Sequence, residues 1–349
     1  MRKYALLFAA VLALAACDDD PVGPTDTTDT TGTESYALVL CEGAWGGNDA
    51  SIARINTADG TADPEWFETA NGRGLGDVAQ DILLCGSQAY VTVTFSNTLE
   101  VINTANGRSV RHSMGRQHPR YMAMDGSRLF VTCYSDRMVA VYDTADLDNA
   151  ITFMYLGDYQ PEGIAVAGGR LFVASSWIQQ QNQNYEYDST VYIFDLNTNE
   201  LVTTVEVGLN PQTVVALDDN RVAVNYNGDY GSHPAGCAII DAGTLAVSQL
   251  GRAATGMAAA GGALYGYSRQ GYGSTSTATF WRFADGSFAD LPVNVNTPYS
   301  ISVDTAGYLY VTTDGNYTAA GDVLCLSLDG TLLWRCEAGM LPKKVIPLR

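Results

Sequence analysis

Residues 157–177 read GDYQPEGIAVAGGRLFVASSW, and the same cadence returns twice more. Residues 115–146 read GRQHPRYMAMDGSRLFVTCYSDRMVAVYDTAD, and residues 208–228 read GLNPQTVVALDDNRVAVNYNG. Each unit opens on Gly, reaches Pro three or four residues later, and runs into an apolar strand, a Gly or Asp turn and a second apolar strand. A loop follows, then a strand ending in Asp (Asp143, Asp195, Asp241), then a last strand leading to the next Gly. The period-two alternation and the turn chemistry DG, GG and NTN are those of short β-strands joined by tight turns.

Weaker copies begin at Gly76 (GDVAQDILLCGSQAYVTVT), at Gly251 (GRAATGMAAAGGALYGYS) and around Val295 (VNTPYSISVDTAGYLYVTT). The starts lie about 40 to 50 residues apart, and four strands per such unit is the pattern of a β-propeller blade. Beyond the first residues no sustained 3.6-residue periodicity interrupts the strands, so an all-β fold is expected. A seventh start at the C-terminus, GMLPKKVIPL, supplies a first strand alone. The three missing strands are expected from YALVLCEG, SIARINTADG and the segment around Trp66 and Phe67. The expectation is a seven-bladed β-propeller whose N- and C-terminal strands share one blade, a closure that removes exposed sheet edges.

Ahead of the propeller stands LALAACDDD, residues 12–20. A basic start (Arg2, Lys3) and an apolar run to Ala16 are too short for a bilayer span, which takes about 20 residues, and suit a secretory signal peptide. Leu14, Ala15, Ala16 and Cys17 resemble a bacterial lipobox, which implies cleavage after residue 16 and lipidation of Cys17. The expected organisation is a signal peptide over 1–16, a lipidated Cys17 with a flexible acidic, Thr-rich tether over 17–35, and the propeller over 36–349. DDDPVGPTDTTDTTGTES has no aromatic residue and one valine, too little apolar surface to offset its ordering entropy. Such a tether reaches a few nanometres, by roughly 5–6 Å times the square root of its length. The run Asp18–Asp20 resembles the acidic export signal of surface lipoproteins in Bacteroides-type bacteria, which implies an outer-membrane, surface-exposed location.

The chain carries 19 Lys and Arg against 38 Asp and Glu, a net charge of −19. Loss of Arg2 and Lys3 with the leader leaves 17 cations against 38 anions, a net −21. That field repels nucleic acid and anionic lipid headgroups, so contact with the membrane is expected through the anchor alone. Cys41, Cys85, Cys133, Cys237, Cys325 and Cys336 contain no C-x-x-C pair, which argues against zinc and redox motifs. Cys325 and Cys336 flank the turn LDGT and are candidates to bridge a hairpin; most of the others sit in apolar runs as buried thiols. His112, His118 and His233 share no metal-ligand spacing, and no cofactor is expected.

Two sets of loops meet on one propeller face. Those between second and third strands carry Trp45, Phe95, Tyr134, Trp177, Tyr185, Tyr187, Tyr226, Tyr230, Tyr272 and Tyr317. Among them stand the amides Asn48, Asn97, Gln179–Asn182, Asn184, Asn227 and Asn316. Tyr and Trp give large contact area at low entropic cost while amides orient a polar ligand, so the set reads as a recognition surface. The insertion SSWIQQQNQNYEYDS is a long loop of the kind that carries function. The loops leading into each first strand place Arg120, Glu162, Gln212, Tyr299 and Lys343 just after Pro at the mouth of the channel, with Asp77 in the matching place. The lyase alternative rests on His118, His233 and Glu162 as an acid/base group.

The opening LCEGAWGGNDASIARINTADG, with Glu-Gly, an aromatic, Gly, Asn and Ser in order, resembles the start of YncE-like propeller lipoproteins from Bacteroides-type bacteria. The stretch from Gly157 to Ala174 is similar to that group's repeat, and the resemblance extends over nearly the whole chain from residue 36. Cys41 departs from the pattern, which has Asn there. The resemblance implies a surface lipoprotein of BtuG type that captures a corrinoid, cobalamin, for a TonB-dependent transporter; the sequence holds no Ser elbow or metal cluster, so no enzymatic activity is expected. A glycan, a siderophore-like molecule or a protein partner in an outer-membrane uptake complex is the alternative ligand class.

Overall fold

The computed structural model describes residues 35–115, 118–180, 184–271 and 273–348. The signal peptide, Cys17 and nearly all of the tether lie outside the described residues, as do Gln181, Asn182 and Tyr272.

Seven four-stranded antiparallel sheets stand around an axis, a seven-bladed β-propeller. Numbering starts at the blade that holds the first and last described strands, and strands A to D run outward from the axis. Blade 1 takes strand A from the C-terminus (Pro342–Pro347) and B, C and D from Tyr36–Cys41, Ser51–Asn56 and Ala62–Asp63. The other inner strands are Ala79–Cys85, Pro119–Asp125, Pro161–Ala167, Pro211–Asp218, Gly256–Ala260 and Pro298–Val303, in blades 2 to 7. Each touches the next, and Pro298–Val303 meets Pro342–Pro347 to complete the ring.

Sequence alternation becomes packing between blades. In strand B of blade 4, Leu171 and Val173 enter the apolar cluster shared with blade 3. Phe172 and Ala174, one residue out of phase, enter the cluster shared with blade 5. A period of two sends successive side chains to opposite sheet faces, so every blade supplies two half-cores. Seven such clusters fill the seven blade–blade interfaces. Burying a Leu or Phe in them is worth about 1.5–3 kcal/mol.

Strand D of blade 1 departs from expectation. It spans only Ala62–Asp63, and Trp66 and Phe67 belong to the short α-helix Trp66–Asn71. Pro64 cannot donate to a ladder but suits the approach to a helix. Gly72 closes the helix in the left-handed region (φ 64°), its N–H donating to Glu68 O. Trp66 and Phe67 still reach the core between blades 1 and 2.

The disulfide candidate is also corrected: Cys325 and Cys336 are both free. Their strands pair, but Cys325 stands opposite Trp334 and Cys336 opposite Val323. The two thiols are therefore diagonal neighbours, about 7–8 Å apart at Cα, beyond the reach of an unstrained bridge.

Candidate functional site

The residue after each inner-strand Pro owes its position to a β-bulge. Pro161 pairs with Ser175 and Ile164 with Val173, so one extra residue is held on strand A of blade 4. The same slip occurs at Pro119/Met122, Pro211/Val214, Pro298/Ser300, Ala79/Asp81 and Pro342/Lys344. Bulges re-aim side chains, and here they release Arg120, Glu162, Gln212, Tyr299, Gln80 and Lys343 from strand alternation. In three blades a polar side chain of strand B satisfies the freed N–H: Thr132 accepts from Tyr121, Asn225 from Thr213 and Thr312 from Ser300. Gln80, rather than the expected Asp77, fills this place in blade 2. Asp77 instead accepts hydrogen bonds from Gly46 N and pins the loop that carries Trp45.

Four charges gather at the mouth. Arg120 Nε lies 2.9 Å from Glu162 Oε2, and Lys343 Nζ lies 2.7 Å from Glu42 Oε2. Tyr299 donates its hydroxyl to the same Glu42 oxygen. Burial alone would raise the Glu42 carboxyl, but the Lys343 ammonium and the Tyr299 hydroxyl outweigh it and hold the group below the usual carboxylate range. Burial dominates at Glu162 and lifts it above that range despite Arg120 and Lys343. Gln80 Nε2 donates to Tyr121 OH (2.9 Å), and Lys344 meets Asp81 at 2.7 Å. Beneath the mouth runs a channel of about 990 Å³, lined by the inner strands of all seven blades.

Around this mouth, on the same face, the aromatic side chains form a continuous arc. Ring centroids are 6.2 Å apart from Trp45 to Phe95, 4.7 Å from Phe95 to His118 and 6.5 Å from His118 to Tyr134. The arc continues to Trp177 (5.8 Å) and Tyr185 (4.9 Å). It crosses blades 1 to 4, and Trp45 is 81% exposed. Arg120 lies 5.0 Å from the centre of the Tyr134 ring, joining arc to mouth. His118 enters the arc as a ring: burial and then the Arg120 charge depress its pKa, so the imidazole is largely neutral at pH 7. Its Nδ1 pairs with Ser135 Oγ at 2.6 Å, and the His118 backbone N–H donates to Asn97 Oδ1.

The long insertion of blade 4 is a two-stranded ribbon, Trp177–Gln179 with Tyr185–Tyr187. With Gln212, Asn210 and Tyr230 its aromatic face borders a second, open cavity of about 230 Å³. Asn227 donates to the Tyr230 hydroxyl at 3.3 Å. Tyr317 meets Tyr299 edge-on at 6.1 Å, beside Asn316 in the short turn Gly315–Tyr317. Asn48 sits in the Trp45 loop with a left-handed backbone (φ 53°).

Tyr226 does not join the arc. Its hydroxyl donates to Gln249 on strand D, and its ring packs on Gly208 and Gly236. Reading the sequence also missed Glu42, Gln80, His118 as an arc member, Asn210 and Asp229. The two histidines of the lyase alternative have separate partners on separate blades, Ser135 for His118 and Asp229 for His233.

The chain matches no protein-family model and no curated protein. Solved propellers resemble it in fold. A provisionally assigned 6-phosphogluconolactonase from Bacteroides fragilis aligns over 93% of this chain and 100% of its own, at 11% identity and TM-score 0.62. A quinoprotein alcohol dehydrogenase-like protein from Bacteroides thetaiotaomicron aligns over 90% of this chain and 78% of its own, at 15% identity and TM-score 0.61. Hydrazine synthase of Kuenenia stuttgartiensis aligns over 70% and 74%, at 18% identity and TM-score 0.55. The chain is thus a propeller with Bacteroides propellers among its structural neighbours.

Proposed function

We propose that this protein is a non-enzymatic binder that holds a corrinoid on its aromatic face and passes it to a TonB-dependent transporter of the outer membrane. In this reading Cys17 carries a lipid and the domain faces the medium at the end of its tether. The observation that carries the binding role is the arc from Trp45 to Tyr185, five ring-to-ring contacts bordering a polar mouth. A broad ring with peripheral amides complements both parts: rings cover its faces, while Gln80, Gln212 and the Glu42–Lys343 pair meet its polar edge. The resemblance of the opening segment and the repeat to YncE-like lipoproteins supports the corrinoid over other flat ligands.

Catalysis is not part of this reading. The neighbours named for lactone and alcohol chemistry share the fold alone, and the separate settings of His118 and His233 favour binding over a lyase. Thermal unfolding of residues 36–349 with and without cyanocobalamin tests the proposal. Ligand at one hundred times Kd stabilises by about 2.7 kcal/mol, so a rise in Tm is expected; an unchanged Tm at saturating corrinoid refutes the corrinoid reading.

A further inference from the structure

The ribbon cavity has a chemistry of its own. Trp177 stands opposite Tyr187 and Gln179 opposite Tyr185, so strand alternation puts these four side chains on one face and Ile178 and Glu186 on the other. Trp177 and Tyr185 meet edge-on at 4.9 Å, and Tyr187 and Tyr230 meet edge-on at 6.4 Å. Four aromatic rings thus line about 230 Å³, with Asn210 and Gln212 as the other walls. That volume is below the about 300 Å³ of a small-molecule pocket and suits a head group rather than a whole ligand.

No charged side chain is among those lining residues. Arg120 lies over Tyr134 and Tyr121, but among the described residues no guanidinium is paired with a ring of this box. The negative charge lies just outside: Asp229 adjoins Tyr230, and its field reaches the Tyr187 hydroxyl. Hydrogen bonds from the His233 side chain and backbone keep Asp229 ionised well below the usual carboxylate range.

We propose that the box formed by Trp177, Tyr185, Tyr187 and Tyr230 binds a quaternary ammonium head group. Ring faces attract a cation that carries methyl groups in place of hydrogen-bond donors, and the acidic surface draws it in. A sugar fits less well. Its hydroxyls each need a partner, whereas four of the six lining side chains are aromatic and the two wall amides commit one group each to the other, Gln212 Nε2 to Asn210 Oδ1 at 2.6 Å. The box shares Trp177, Tyr185 and Gln212 with the surface proposed for the corrinoid, but its argument rests on the four rings alone and not on that reading.

Calorimetric titration of residues 36–349, which contain every strand of the ring, decides the matter. The probes are choline, its uncharged isostere 3,3-dimethyl-1-butanol, and methyl glucoside. Choline is expected to saturate one site, the isostere to bind at least ten-fold more weakly, and the glucoside to show no saturation. Tyr230→Leu, at a residue 73% exposed, should weaken choline at least ten-fold without lowering Tm appreciably, while Tyr230→Phe keeps it. Trp45→Ala should leave choline binding intact, which separates this site from the corrinoid surface. Equal binding of the isostere, saturable binding of the glucoside, absence of choline binding or an unaffected Tyr230→Leu variant would each overturn the proposal.

Discussion

The Lys343 ammonium stands 2.7 Å from the Glu42 carboxylate across 301 residues of sequence. One lies on the last strand and the other just after the strand it pairs with, so the contact ties the first and last described strands where blade 1 closes the ring. Glu42→Gln leaves the partly buried ammonium without its anion and should cost about 2 kcal/mol at pH 7, the scale of a hydrogen bond to a charged group. The folded Glu42 pKa is lowered, so its contribution is present above the unfolded value of about 4.3 and disappears as pH falls through the folded value. Urea unfolding at pH 7 and pH 3 should show a wide gap between native and variant that narrows in acid. A gap independent of pH would deny the ionic role.

Trp45 and Tyr226 look alike as loop aromatics and should behave as opposites. Trp45→Ala removes an exposed ring and should change stability by no more than about 0.5 kcal/mol while weakening ligand binding. Tyr226→Ala removes the ring that fills the space over Gly208 and Gly236, and should cost about 2 kcal/mol. Denaturant midpoints for the two variants, with m unchanged, check the contrast.

Gly163 of the PEG motif tests the inner ring. A Cβ there would lie 2.5 Å from Gln212 O and from Val214 N. These are backbone atoms of the next inner strand, which no rotamer change can move aside. Gly163→Ala should destabilise by about 3 kcal/mol, the upper end for overpacking. A native-like Tm would show that blades 4 and 5 are less tightly apposed than described.

The propeller was legible because its determinants are local: the Gly-to-Pro start, the two-residue period and the turns recur within each unit. The helix at Trp66–Asn71 was masked by apolar content alone, although Asp-Pro before it and Gly after it mark its ends. The mouth was half legible. Arg120, Glu162, Gln212, Tyr299 and Lys343 follow a visible Pro, but blade 2 has Ala79 there and Gln80 carries no such flag. Glu42 could not be read, since its partners Tyr299 and Lys343 are distant in sequence. Tyr226 was misplaced because being the last residue of a strand, not the loop, decides where its ring turns.

The diagonal placement of Cys325 and Cys336 gives a redox prediction. All six thiols of residues 36–349 should react with a thiol reagent once the protein is unfolded without reductant. Tm should be the same with and without reductant. Four reactive thiols would instead mean that one bridge forms.

Titration of residues 36–349 with cyanocobalamin and cobinamide in a calorimeter tests the central claim most directly. The account predicts one saturable site with nanomolar Kd, about −12 kcal/mol, weakened at least ten-fold by Trp45→Ala with Phe95→Ala. Absence of heat with either corrinoid, at concentrations where the protein is folded, would contradict it.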